Sequence, residues 1–185
     1  FDRVVVGVDS LMDADGQEFK LSEFRGNVDE RYFEKILGPD TTLTRIWYIE
    51  PGHPEEPGVV WVGAEPGALF RSDDWGQSWN EVASLTAHPT RSQWAPAFGS
   101  LSLHSIQCPA KGRIIAGISV GGAYRSDDGG ANWEPFNGNV RADFLPESKK
   151  FPEVGQCVHK LLAHPAEPEM LYQQNHCGVY RARWD

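Results

Sequence analysis

Short apolar runs, broken by Gly, Pro, Asp and Ser, recur along the chain. Val4-Val5-Val6-Gly7-Val8-Asp9, Val60-Trp61-Val62-Gly63-Ala64-Glu65, Ile114-Ile115-Ala116-Gly117-Ile118-Ser119 and Met170-Leu171-Tyr172-Gln173-Gln174-Asn175 fit one frame. Their aligned positions 7, 63, 117 and 173 are separated by 56, 54 and 56 residues. Runs this short, rich in β-branched and aromatic residues, predict strands. A second landmark is a strand ending in Pro: Arg45 to Pro51, Ser105 to Pro109 and Lys160 to Pro165. A third is a polar turn. Ser72-Asp73-Asp74-Trp75-Gly76-Gln77-Ser78-Trp79 recurs 54 residues on as Ser126-Asp127-Asp128-Gly129-Gly130-Ala131-Asn132-Trp133.

Constant order at near-constant spacing marks a structural repeat. One unit reads as four strands, at 44–49, 59–64, 68–72 and 78–84, joined by short polar turns. Strands this close in sequence pair as antiparallel hairpins. A single such sheet cannot bury both of its faces, whereas stacked sheets can. The expectation is an all-β chain, a β-propeller of four-stranded antiparallel blades with about three to three and a half of them present. Two full blades span 44–84 and 103–140. A partial first blade spans 1–43 and a partial last one 158–185. Asp15-Gly16-Gln17-Glu18-Phe19 reads as a degenerate copy of the polar turn, with Ala14 where its Asp should stand.

The 185 residues suit one domain or a part of one. The 19 Gly and 13 Pro favour turns and short strands over long helices. The net charge of −9 argues against nucleic acid and anionic membranes as partners. No apolar run approaches the roughly 20 residues of a membrane span. The three cysteines, Cys108, Cys157 and Cys177, are too few and too odd for a disulfide framework, so reduced thiols in the cytoplasm are expected. The opening Phe1-Asp2-Arg3, without Met or signal peptide, reads as that of a fragment or a processed product.

The Ser-x-Asp-x-Gly-x-x-Trp pattern, met at Ser72, Asp74, Gly76 and Trp79 and again at Ser126, Asp128, Gly130 and Trp133, resembles the Asp box, or BNR repeat. Over residues 44–181 the chain resembles the sialidase-like and glycosyl-hydrolase-like BNR-repeat propellers. The resemblance implies that the box is a structural turn between the third and fourth strands, on the face away from any ligand. Its chemistry fits such a role. The Asp accepts backbone N–H bonds, the Gly supplies positive φ, and the Trp covers the sheet edge.

By the same resemblance, a ligand is expected at the opposite face, around the mouth of a central channel. The ends of the second strands place Asp9, Glu65, Ser119 and Asn175 there, with His176 following. The starts of the first strands add Arg45, His104 and His159. The long links 85–102 and 137–157 carry His88, Arg91, Trp94, Arg141, Asp143, Lys149 and Lys150. Two readings stand for His104 and His159: hydrogen-bonded near-core imidazoles, or ligands of a metal together with Glu65, Asn175 or His176. Cys157-Val158-His159 and His176-Cys177 add sulfur to that second reading. Glu65 is a loop residue, or a general acid or base if a second carboxylate, Asp9, faces it. Trp94 is core cover or a sugar-stacking platform. Arg71, Arg125 and Arg181 recur once per blade, which suits structural contacts and not the arginine triad of sialidases.

The resemblance to true sialidases implies three arginines, a Tyr/Glu nucleophile pair and an acidic Asp. Arg45 and Arg141 are the mouth arginines here, which leaves that set unassembled. The function expected is a ligand-binding propeller, non-catalytic as this chain alone, without an obligatory cofactor. The alternatives are a glycoside hydrolase acting through mouth carboxylates and a protein-binding assembly factor. The expected partners are a carbohydrate or other small ligand, or a protein. About three blades leave open edges, so a homo-oligomer or a longer chain is expected to close the ring.

Overall fold

The computed structural model describes residues 10–12, 18–20, 45–94, 101–143 and 145–184. The strand expected at Val4–Asp9 and the Ala14–Gln17 part of the degenerate turn lie outside the described residues. A two-stranded hairpin joins β1 (Ser10–Met12) to β2 (Glu18–Lys20), with Leu11 opposite Phe19.

Three antiparallel sheets follow. The first is β3 (Arg45–Pro51), β4 (Val60–Glu65), β5 (Ala68–Ser72) and β6 (Asn80–Glu81), in that spatial order. The second is β7 (Leu103–Ala110), β8 (Arg113–Ile118), β9 (Gly122–Ser126) and β10 (Glu134–Pro135). The third is β11 (Lys160–Ala163), β12 (Met170–Asn175) and β13 (Gly178–Arg183). Each is a meander of neighbouring strands, as short turns between short strands require. The fourth strands are shorter than expected. β6 ends at Glu81, and Ala83–Thr86 turns into one helical turn, α1. In the second sheet β10 ends at Pro135, with one further bond from the Phe136 N–H to the Ala123 carbonyl at 2.8 Å, as Val82 makes to Leu69 after β6.

The sheets stack face to face. β7 contacts β3 and β4 on one side and β11 on the other, so the first strands of successive sheets are neighbours. Period-two alternation serves both interfaces. Ile114, Ala116 and Ile118 of β8 face the first sheet and join Trp61, Leu69, Leu103, Ile106 and Tyr124 in one cluster. Ile115 points the other way and joins Ala123, Val158, Leu161, Leu171 and Trp184. A middle sheet buried on both faces explains why its strands read as nearly continuous apolar runs. The architecture is that of a partial β-propeller. Among the described residues no helix is long and apolar enough to cross a membrane.

The two polar turns share one geometry. Ser72 Oγ donates to Asp74 Oδ1 at 2.7 Å and accepts from the Gly76 N–H at 2.8 Å. Asp74 Oδ1 accepts the Ser78 N–H at 2.8 Å, and Trp79 Nε1 donates to the Gly76 carbonyl at 3.0 Å. In the second copy Ser126 bonds Asp128 at 2.8 Å and Gly130 N–H at 2.9 Å, and Asp128 accepts the Asn132 N–H at 2.8 Å. Gly76 and Gly130 have φ of +88° and +91°, which a side chain would strain. The serine is the hub, because it is buried and satisfies groups on both sides. Ser126→Ala leaves the Gly130 N–H without its acceptor. A loss of about 1–3 kcal/mol is expected, read from the midpoint of urea unfolding. A loss below about 0.5 kcal/mol would mean that solvent replaces the hydroxyl.

Candidate functional site

Arg45 opens β3 and sits in register with Glu65, the last residue of β4. Between Ile46 and Tyr48 the ladder shifts register, which leaves Trp47 as a bulged residue. A bulge re-aims its side chain, and the Trp47 indole is 41% exposed. Its Nε1–H donates to Glu65 Oε2 at 3.1 Å, and the Arg45 guanidinium lies 5.2 Å from its ring centre. Trp47, which the sequence marks only as a strand residue, thus unites the two candidates Arg45 and Glu65. The missed signal was the bulge, which no local residue pattern announces.

The second sheet repeats the bulge between Leu103 and Ser105, and there the offset residue is His104. Tyr48 pairs with Gly63 and Ser105 with Gly117, so Trp47 and His104 are equivalent positions on adjacent blades. Their environments differ. His104 Nε2–H donates to the Val158 carbonyl at 2.8 Å, and burial pushes its pKa below the usual 6.5, so the imidazole is neutral. It ties the first strand of one sheet to the segment entering the next. Nearby, Ser119 Oγ accepts the Ser102 N–H at 3.0 Å.

In the third sheet His159 precedes β11 and His176 lies in the β12–β13 turn. Their Nε2 atoms are 3.2 Å apart, with the rings nearly perpendicular. Burial, then the neighbouring His176, lowers the His159 pKa. Cys157 joins them, its sulfur within 4.8 Å of both imidazoles' ligand atoms. Burial pushes its thiol up, while a bond from the Val120 backbone pulls it down. Asn175 is buried and fully engaged in the turn. It accepts the Cys177 and Gly178 N–H groups at 2.7 and 3.1 Å and donates to the Arg141 carbonyl at 2.9 Å. Its place is to hold the turn that carries His176.

The links contribute locks. Arg91 donates to the carbonyls of Pro66 and Gly67 at 2.8 and 3.1 Å, fixing the hairpin beyond Glu65. Trp94 is in the core, its Nε1–H on the Tyr124 hydroxyl at 2.7 Å, with no face left for a sugar. His88 bonds Thr90 at 2.8 Å and the Trp133 carbonyl at 3.2 Å. Arg141 pairs with Asp143 at 2.5 Å. Arg71 pairs with Asp73 at 2.7 Å and Arg125 with Glu134 at 2.6 Å.

A further cluster lies where the first strands meet. Glu50 accepts from the Tyr48 hydroxyl, and burial raises its carboxyl to about 7 against the pull of that bond and of the Lys160 charge. Lys160 Nζ sits 4.6 Å from the Tyr48 ring centre. Cys108 of β7 is pushed up by burial and by the charges of Glu50 and Glu56. Glu50 is therefore half-protonated near neutrality, which lets it hold or release a proton. Glu50 and Cys108 each precede the proline of their strand, a sequence landmark that had carried no chemistry. A separate concavity of about 500 Å³ opens between the outer strands of the second and third sheets, rimmed by Arg125, Glu134, Gln173, Tyr180 and Arg181.

No family model matches the chain, and no curated protein matches it. Among solved structures it is similar to an ancestral GH74 enzyme, at a TM-score of 0.52 and 15% identity, covering 77% of this chain and 18% of that one. It is also similar to the GH74 enzyme of Niastella koreensis, at a TM-score of 0.49 and 13% identity, covering 96% and 27%. A third is YCF48 bound to a peptide, at a TM-score of 0.47 and 15% identity, covering 78% and 37%. The chain thus spans less than a fifth of the first of these propeller proteins. The likeness to that first structure concerns the fold alone.

Proposed function

We propose that the chain is part of an Asp-box (BNR-repeat) propeller that binds a carbohydrate at the sheet end carrying Arg45, Trp47 and Glu65. The observation that supports this is the Trp47 indole, pushed out of the ladder by a bulge and held by a carboxylate at its edge. A sugar ring offers an apolar C–H face and a rim of hydroxyls. An indole packs against the first, and a carboxylate with a guanidinium bonds the second. In this reading the blades run 44–84, 103–140 and 158–185 after a partial first blade. Further blades or a second copy cover the outer face of the third sheet, where Leu162 and Val179 are exposed.

Binding is favoured over hydrolysis by what stands at the equivalent strand ends. Ser119 and Asn175 occupy the places of Glu65 in the next two sheets, and neither is a carboxylate; Asp9, the repeat-equivalent acid, lies outside the described residues. A two-carboxylate mechanism needs a second acid about 5–9 Å away. The test is titration of the full chain with a panel of neutral and acidic oligosaccharides. Trp47→Ala is expected to weaken the best binder by about tenfold or more, the equivalent of about 1.4 kcal/mol. Binding that survives Trp47→Ala, or no binding across the panel, would reject the proposal.

A further inference from the structure

We propose that Cys157, His159 and His176 form a zinc site at the start of the third sheet, with three protein ligands and a fourth position open to solvent. Zinc takes thiolate and imidazole ligands in a tetrahedron, and three protein ligands with one open position is an established arrangement. Two nitrogens each ~2.0–2.1 Å from such an ion stand about 3.3 Å apart. The Nε2 atoms of His159 and His176 are already 3.2 Å apart. The Cys157 sulfur is within 4.8 Å of the ligand atoms, so an adjustment of about 1 Å closes the set.

The backbone that carries these side chains is held from three directions. The His159 N–H donates to the Gln174 carbonyl at 2.8 Å, which ties the Cys-x-His segment to β12. His104 donates to the Val158 carbonyl, between the two ligands of that segment. Asn175 locks the turn on which His176 stands. A site preorganised in this way pays little ordering entropy on binding. Gln174 adds an orienting group. Its amide nitrogen lies 3.2 Å from His159 Nδ1 and donates to the Asn175 carbonyl at 2.9 Å, so it stands beside the ring and is tied to the turn that carries His176. Both imidazoles are exposed and Cys157 is partly buried, so the ion has a path in and keeps a solvent-facing position. Zinc binding here needs no ligand at the Trp47 platform.

The experiment uses the full chain, stripped with chelator under reducing conditions and titrated with zinc alone against a chromophoric competitor. One zinc per chain is expected, with magnesium and calcium failing to compete because the donors are soft. Cobalt in place of zinc reads the ligands directly. Tetrahedral visible bands and a sulfur-to-cobalt charge-transfer band are expected. Cys157→Ser should abolish the charge-transfer band, and His176→Gln should lower zinc affinity about 100-fold or more, beyond the 10–100-fold typical of outer-shell losses. His176 is in an exposed turn, so melting of the metal-free variant at the parent temperature separates ligand loss from misfolding. No stoichiometric zinc, one zinc shared by two chains, or a cobalt spectrum unchanged by Cys157→Ser would each overturn the site.

Discussion

Replacing Gly63 with alanine is expected to destabilise the protein by about 3 kcal/mol or more, at the upper end of overpacking costs. Gly63 lies mid-strand in β4, where β7 of the next sheet crosses it. A Cβ there would stand 2.3 Å from the Leu103 carbonyl oxygen and 2.6 Å from its Cδ2. The first of these is backbone, and Leu103 is fully buried and paired with Ile118, so it cannot yield without breaking its own ladder. Gly63 is outside the left-handed region, so alanine is not excluded by its own backbone. Without the clash, Gly→Ala would stabilise by roughly 0.4–1 kcal/mol through the unfolded chain. The two sheets must therefore separate or shear. For a chain of this size the loss corresponds to a fall in Tm of about 6–12 °C. Gly117, the same repeat position one blade on, is the control. The nearest atoms to its Cβ would be side-chain carbons of Leu161 and Val158 at 3.0–3.2 Å, which can shift. Gly117→Ala is expected to cost about 1 kcal/mol. Equal melting shifts for the two variants would refute the close crossing of β4 and β7.

That crossing explains why the repeat is legible in the sequence. Gly63 and Gly117 recur because each sheet needs a flat spot where its neighbour's first strand passes. Val-Trp-Val and Ile-Ile-Ala recur because the strands beside that spot are buried on both faces. The all-β class and the three antiparallel sheets follow from these constraints, which act within about 55 residues and so leave a periodic trace. The fourth strands are shorter than the apolar pattern predicts, since β6 and β10 each hold only two residues. Val82 continues the apolar pattern past β6, yet its carbonyl accepts from Leu85 and starts a helical turn. Apolar spacing alone does not separate a strand end from a helix start.

The candidate site was legible by position and not by chemistry. Knowing which strand ends share a face pointed to Arg45, Glu65, His104, His159, Asn175 and His176. Their partners come from register shifts and from contacts between sheets, which leave no local trace. Trp47 and His104 are equivalent bulges, but one packs outward beside Glu65 while the other turns inward to Val158. Trp94, open between platform and core in the sequence, is core because Tyr124 receives its Nε1–H. Glu50 needed three strands, β3, β7 and β11, to be brought together.

Glu50→Gln is expected to stabilise the protein at pH 8 and to leave it nearly unchanged at pH 5. Burial raises the native carboxyl from its usual 4.5 to about 7. Between those values the native state binds more protons than the unfolded one, so stability falls as pH rises. The contribution is fully present below about 4.5 and is lost as pH passes through about 7. At full weight the shift is worth roughly 3 kcal/mol, and about 2 kcal/mol once solvent screening at a half-buried group is allowed for. Glutamine keeps an acceptor for the Tyr48 hydroxyl and carries no charge to bury, so it removes this loss and little else. Relative to the parent, its Tm should rise by about 4–8 °C at pH 8 and by less than about 2 °C at pH 5. Lys160 sets the limit of the effect, because its charge already offsets part of the burial cost of the carboxylate. Glu50→Gln combined with Lys160→Met should therefore gain no more than Glu50→Gln alone, whereas Lys160→Met alone should lower stability at pH 8. A gain of equal size at both pH values would show that packing, and not a raised carboxyl, distinguishes the variant, and would remove Glu50 as a proton-holding group.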